Sequence, residues 1–320
     1  MILSELAAMV ERAGQRVYRH AIETPILPST LGDGNRSVAL KLECLQVTGS
    51  FKVRGAANKL EALSDHDGHR GVVACSSGNH GRAVAFVARR LGMTAFVFVP
   101  EWADPVKVEG MRHDGAQVQR IGGTYDGAEA AAIAFAKAED LPFVSPFDDP
   151  EIIAGQGTIG AEILTQDRGT DTVLVPLSGG GLVAGVAAAL KGAGSLIRVV
   201  AVSAERARVM YESVRAGNPV TVPEEPTLAG ALAGGIGNPN RYTFDAVRDL
   251  VDHHVVVSET AIANAIRYLW SQHRLVVEGG GAVVVAALLD RAVNLGGRTL
   301  AVVSGANIDL DAWRQIIDSG

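Results

Sequence analysis

Lys52 stands directly behind Gly49-Ser50-Phe51, after the strand-like run 38–42 and ahead of the helix-favouring run 56–63. An amine at such a junction turns nucleophilic or basic when burial or a nearby cation lowers its pKa from about 10.4. Arg54, two positions on, is such a cation. A lysine that opens a helix is also commonly a solvated surface group, so Lys52 draws its meaning from three other segments.

Ser178-Gly179-Gly180-Gly181-Leu182 follows a strand-like run and opens an apolar helix. Successive glycines let backbone N–H groups converge on an anion, and the helix N-terminus adds partial positive charge, which suits a phosphate. The segment lacks the Gly-Lys-Ser/Thr ending of a nucleotide P-loop and the Gly-x-Gly-x-x-Gly spacing of dinucleotide binders. Without a ligand, the same residues make a tight strand-to-helix turn. Ser76-Ser77-Gly78-Asn79-His80 again lies between a strand and a helix, where hydroxyls and amides can hold a carboxylate; read alone it is a good turn and N-cap. Ser304, in Val303-Ser304-Gly305-Ala306-Asn307, ends the last strand-like run, on the side where parallel sheets bind ligands.

These segments need a layered scaffold to meet. Residues 3–20 read as an amphipathic helix, and Thr24-Pro25 extends the chain after it. Strands at 71–75, 94–99, 116–120 and 141–144 alternate with helices at 82–91, 104–113 and 124–138, which predicts a small parallel sheet covered by helices. A second parallel sheet is expected from strands at 172–177, 198–202, 254–257 and 299–303, with helices at 151–166, 181–191, 206–217, 259–273 and 280–293. Residues 217–240, rich in Pro, Gly and Asn, are the longest irregular stretch and read as a functional loop.

Composition narrows the classes. A chain of 320 residues with 37 glycines and 5% aromatics suits α/β layering in one large domain or two that share a cleft. Lys and Arg total 29 against 35 Asp and Glu, and the net charge of −6 has no long runs, so neither nucleic acid nor an anionic membrane is an expected partner. No stretch reaches the roughly eighteen apolar residues of a span, and Met1-Ile2-Leu3 lacks the basic start of a signal peptide, so a cytoplasmic location is expected. Cys44 and Cys75 make neither a disulfide framework nor a metal spacing.

In their order along the chain, these motifs resemble the pyridoxal-phosphate enzymes of fold type II, the serine/threonine dehydratase and serine racemase family. The resemblance also covers Thr24-Pro25, residues 46–56, Phe147-Asp148-Asp149-Pro150 and Ile153-Ala154-Gly155-Gln156-Gly157-Thr158. It implies two parallel-sheet, three-layer domains with the cofactor in the cleft between them: a large one from residues 1–47 and 148–320, and a small one from 48–147. It implies a Schiff base from Lys52 to pyridoxal 5'-phosphate, with the phosphate held by Ser178, Gly179, Gly180, Gly181 and Leu182. Phe51 would lie against the ring, Asn79 on the ring hydroxyl and Ser304 at the ring nitrogen. The substrate would meet Ser76, Ser77, Gly78, Asn79 and His80, with Lys52 and Ser77 as the catalytic pair. A neutral serine at the ring nitrogen favours prompt loss of a β-leaving group over a long-lived carbanion. The implied reaction is β-elimination from a small β-hydroxy amino acid, giving a 2-oxo acid and ammonia, in a homodimer.

Two departures narrow this expectation. Ser178 replaces the first of the usual four glycines, and Tyr211 stands where related enzymes place the second acid of a divalent-cation site beside Glu205, so no metal is expected. Pro226-Thr227-Leu228-Ala229, Gly234-Gly235-Ile236-Gly237 and 240–244 are similar to the hydroxyectoine-utilisation dehydratases, with the 226–244 stretch expected to wall the substrate pocket, although Gly230 stands where an aspartate is common. A serine/aspartate-type racemase with side dehydratase activity and a non-catalytic cofactor-binding protein are the alternatives.

Overall fold

In the computed structural model, which describes residues 3–32, 36–67, 71–237, 239–292 and 297–319, alternating sequence runs become alternating elements. Met1, Ile2, Asn238 of the irregular stretch and position 293 of the expected helix lie outside those residues. Helix α1 (Leu3–Val17) buries Leu6, Val10, Ala13 and Val17, the single face that its 3.6-residue period provides. Strand β1 (Ile26–Ser29) then pairs antiparallel with β2 (Ser37–Lys41).

Helix α2 (Lys52–Asp67) begins at the lysine itself, four residues earlier than its helix-favouring run predicts. Strands β3 (Gly71–Cys75), β4 (Thr94–Pro100) and β5 (Gln117–Ile121) form a parallel sheet in the order β3-β4-β5. They alternate with α3 (Asn79–Arg90), α4 (Pro105–His113) and α5 (Tyr125–Ala138). The strand expected at 141–144 is reduced to one bridge between Val73 and Phe143. Pro142 has no N–H to extend the ladder.

Helix α6 (Pro150–Gln166) starts at Asp149, whose carboxylate accepts from the Glu151 and Ile152 amides. There follow β6 (Thr172–Pro176), α7 (Gly181–Gly192), β7 (Arg198–Ala204), α8 (Val209–Ala216), α9 (Thr243–Leu250), β8 (His253–Val257), α10 (Glu259–His273), α11 (Gly279–Leu289), β9 (Arg298–Val302) and α12 (Leu310–Asp318). The second sheet runs β1-β2-β9-β6-β7-β8, parallel except for β1.

Both sheets are covered on two faces, because alternate strand residues point to opposite sides. Val173, Val175, Val199 and Ala201 pack with α6 and α7, while Leu174, Val200 and Val202 pack with α10 and α11. In the smaller sheet Val72, Ala74 and Val97 pack with α2 and α3, and Val73, Cys75 and Phe98 with α5. The sequence pattern does not predict α9 or α12. The first is capped from afar by Asp148, whose carboxylate accepts from the Tyr242 and Thr243 amides. The second is capped by Asp309 and docks Trp313 edge-on against Trp270, with centroids 5.1 Å apart.

Candidate active site

The segment after β3, the start of α2, the turn between β6 and α7, and Ser304, two residues past β9, open into one cavity of about 490 Å³. It collects Phe51 and Lys52, Ser76, Ser77, Gly78, Asn79 and His80, Ser178, Gly179, Gly180, Gly181 and Leu182, and Ser304. Three of the four segments follow strand ends, where a parallel sheet leaves a crevice.

Lys52 is half-buried, with Nζ donating 2.7 Å to the Pro146 carbonyl and lying 5.3 Å from the Phe51 ring centroid. Burial pushes its pKa down to about 8, and the Glu278 carboxylate only partly opposes this. Arg54 is not the cause. Its guanidinium is fully buried, bonded to Glu43 at 2.8 Å and Glu162 at 2.5 Å, and Glu162 in turn takes Lys41 at 2.5 Å. Two cations thus meet two carboxylates, and the cluster presents no free positive charge to Lys52.

The glycine turn is shaped by a wall. A Cβ on Gly179 would fall 2.3 Å from the Phe147 ring, and Gly180 has φ +90°, so a side chain is excluded by space at one position and by backbone at the next. The Ser178 hydroxyl donates to the Leu232 carbonyl at 2.9 Å, away from the turn's amides. The first N–H groups of α7 have no partner within their own helix, so they are available to an anion. Helix α3 likewise starts at Gly78 without a side-chain cap, and the Ser76 hydroxyl accepts from the Gly78 amide at 3.2 Å. A phosphate beside α7, a carboxylate beside α3 and a recessed amine fit pyridoxal phosphate with its amino-acid substrate.

His80 is turned to the Val144 carbonyl, 3.0 Å from Nε2, and burial together with the Lys52 charge pushes it down to about 3. It is therefore neutral near pH 7. Ser304 is buried, with its hydroxyl 3.5 Å from the Gly280 carbonyl. Of the 226–244 stretch, Pro226, Thr227 and residues 230–235 line the cavity. Ile236 and Phe244 turn into the core, and Tyr242 and Thr243 go to Asp148. Glu205 accepts from the Glu259 amide at 3.0 Å, and among the described residues no group of three His, Cys, Asp or Glu could hold a metal ion.

Sequence inspection misses Glu278, which caps the cavity from the start of α11. Its Oε1 accepts from Asn79 Nδ2 at 2.5 Å. Burial raises its pKa against the pull of Lys107, the Asn79 bond and Lys52. An acid directly ahead of Gly279-Gly280-Gly281 and an all-apolar helix is the available sequence signal, since the helix N-terminus attracts negative charge.

The pyridoxal-phosphate dependent enzyme family model matches residues 17–305. The chain is 41% identical over 304 residues to an L-threonine ammonia-lyase of Thermotoga maritima, covering 95% of this chain and 75% of that protein. Among solved structures it is similar to maize serine racemase, with TM-score 0.90, 33% identity, and coverage of 98% of this chain and 97% of that one. It is also similar to the processed form of threonine deaminase isoform 2 from Solanum lycopersicum, with TM-score 0.90, 31% identity, and coverage of 99% of this chain and 87% of that one.

Proposed function

Because the chain belongs to the pyridoxal-phosphate dependent enzymes, among the threonine dehydratases and serine racemases, we propose that it dehydrates and deaminates a small β-hydroxy amino acid to a 2-oxo acid and ammonia. The observation that supports this best is the convergence of a lysine of lowered pKa, two uncapped helix starts and Ser304 on one cavity. Bound pyridoxal phosphate supplies the electron sink that makes the substrate's α-proton removable.

The chain's own residues do the rest. The amides of residues 178–182 and the α7 N-terminus hold the phosphate, and Ser304 offers a neutral partner to the ring nitrogen. The Ser76 to Gly78 segment and the α3 N-terminus hold the substrate carboxylate. Lys52 takes the α-proton: with its pKa near 8, a fair share is unprotonated at neutral pH. The Pro146 carbonyl anchors its Nζ, and Phe51 shields one side. The β-hydroxyl then leaves as water, the proton it takes up being balanced by the α-proton that Lys52 has accepted, and hydrolysis of the released enamine yields the 2-oxo acid and ammonia.

Threonine, serine and 3-hydroxyaspartate are the first substrates to try, beside ectoine-derived hydroxy acids, because Pro226, Thr227, Gly234 and Gly235 of the motifs that point there line the cavity. Racemisation is the second reading, favoured by Ser77, whose hydroxyl-bearing residue lines the same cavity. Ammonia and 2-oxo acid release from this panel is the expected result. A protein that binds the cofactor yet releases neither would be a binding protein instead.

A further inference from the structure

Asn79 sits in a hydrogen-bond chain whose direction is set from its ends. Asp114 Oδ2 holds the Arg82 Nε at 3.1 Å, and Arg82 Nη1 donates to Asn307 Oδ1 at 3.0 Å. Asn307 Nδ2 donates to the Thr48 carbonyl at 2.9 Å and to Asn79 Oδ1 at 2.7 Å. Asn79 Nδ2 donates to Glu278 Oε1 at 2.5 Å.

A guanidinium can only donate and a backbone carbonyl can only accept, so Asn307 has one consistent orientation: oxygen to Arg82, nitrogen to Thr48 and Asn79. Both N–H bonds of Asn307 are then used. Asn79 must present its oxygen to Asn307, whatever the protonation of Glu278, and its NH₂ therefore faces the cavity. One of those two N–H groups goes to Glu278. The other is left for a ligand oxygen.

We propose that Asn307, backed by Arg82 and the Thr48 carbonyl, is a positioning residue for the cofactor: it locks the Asn79 amide so that an N–H, not the amide oxygen, meets the oxygen on the cofactor ring. This rests on Asn79 being the ligand of that ring oxygen. The chain also runs back and forth between the two sheets' halves, from Arg82 on α3 to Asn307 after β9, back to Asn79 on α3, then to Glu278 at α11. Orientation of the amide thereby depends on how those halves sit together.

The test measures equilibrium binding of pyridoxal phosphate and of 3-deoxypyridoxal phosphate, which lacks the ring hydroxyl, to the cofactor-free full-length chain. The wild type should prefer pyridoxal phosphate by about tenfold, the worth of one good hydrogen bond. Arg82→Gln keeps a donor at the half-exposed position and should retain that preference. Asn307→Asp can only accept, forces the Asn79 amide to turn round, and should reduce the preference to less than about twofold while leaving binding of the deoxy analogue within about twofold of wild type. The analogue reports on folding, since a purely structural defect weakens both ligands alike. Equal weakening, or an undiminished preference in Asn307→Asp, overturns the proposal. Loss of preference in Arg82→Gln as well would show that the guanidinium itself, and not merely a donor, holds the Asn307 oxygen, and so supports it. A wild type that binds both compounds equally overturns the Asn79 assignment on which it stands, while leaving the ammonia-lyase reading to its own assay.

Discussion

Lys52 carries its proton loosely because a charged amine is poorly solvated where it lies, and the Glu278 carboxylate compensates only in part. Its reactivity in the cofactor-free chain should rise with pH around a midpoint near 8, against about 10.4 for an ordinary lysine. Acylation of Lys52 followed by peptide mass mapping checks this; a midpoint above about 10 would contradict it. The stability linkage has the same sign. Between about 8 and 10.4 the unfolded chain binds more protons here than the folded one, so this group's contribution to stability grows as pH rises through that window. Lys52→Ala should abolish elimination and the borohydride-stable attachment of cofactor mass at position 52. Ser77 has a narrower expected role. A serine hydroxyl is a poor base unassisted, and the proposed elimination uses Lys52 as its base, so Ser77→Ala should lower α-proton exchange and D-isomer formation selectively. Loss of L-substrate elimination with cofactor still attached would show that Ser77 serves the main reaction.

At the scale of elements, the turn between β6 and α7 works because nothing but glycine fits against Phe147. Gly179→Ala places a methyl where the ring stands, a cost of about 1 to 3 kcal/mol, and should weaken pyridoxal phosphate binding about tenfold or more. Denaturant unfolding of the cofactor-free chain and a binding titration measure the two effects; wild-type values in both would mean that Phe147 yields freely. Phe147-Asp148-Asp149-Pro150 shows how one short motif serves three elements. Phe147 backs the glycine turn, Asp148 caps α9 and Asp149 caps α6. Its resemblance to family sequences was visible, but the capping of α9 spans 95 positions and no local pattern announces it.

Across the whole molecule, α2 is fastened on one side by the Arg54 cluster, which reaches Glu43 after β2 and Glu162 on α6, while Lys52 belongs to the cavity. Arg54→Met would leave Glu162 with Lys41 and the Tyr18 hydroxyl but Glu43 with the Thr24 hydroxyl in place of its cation, and should cost about 3 to 5 kcal/mol in unfolding free energy. A loss under about 1 kcal/mol would show that water or a shift of α6 replaces the guanidinium. What the sequence determined by itself was local: hydrophobic period, turn glycines, the residues at strand ends, and hence the α/β class and the residues proposed as phosphate cradle and reactive lysine. Each rests on residues a few positions apart, whose spacing is set by helix and strand periods. Arg54, close to Lys52 in sequence, does not tune it because its carboxylate partners lie 11 and 108 positions away. Glu278 was missed because its bond to Asn79 spans 199. Such pairings arise when the packed sheets bring distant side chains within about 3 Å and remove the water between them. Only the tertiary structure decides which charges cancel and which remain to do chemistry.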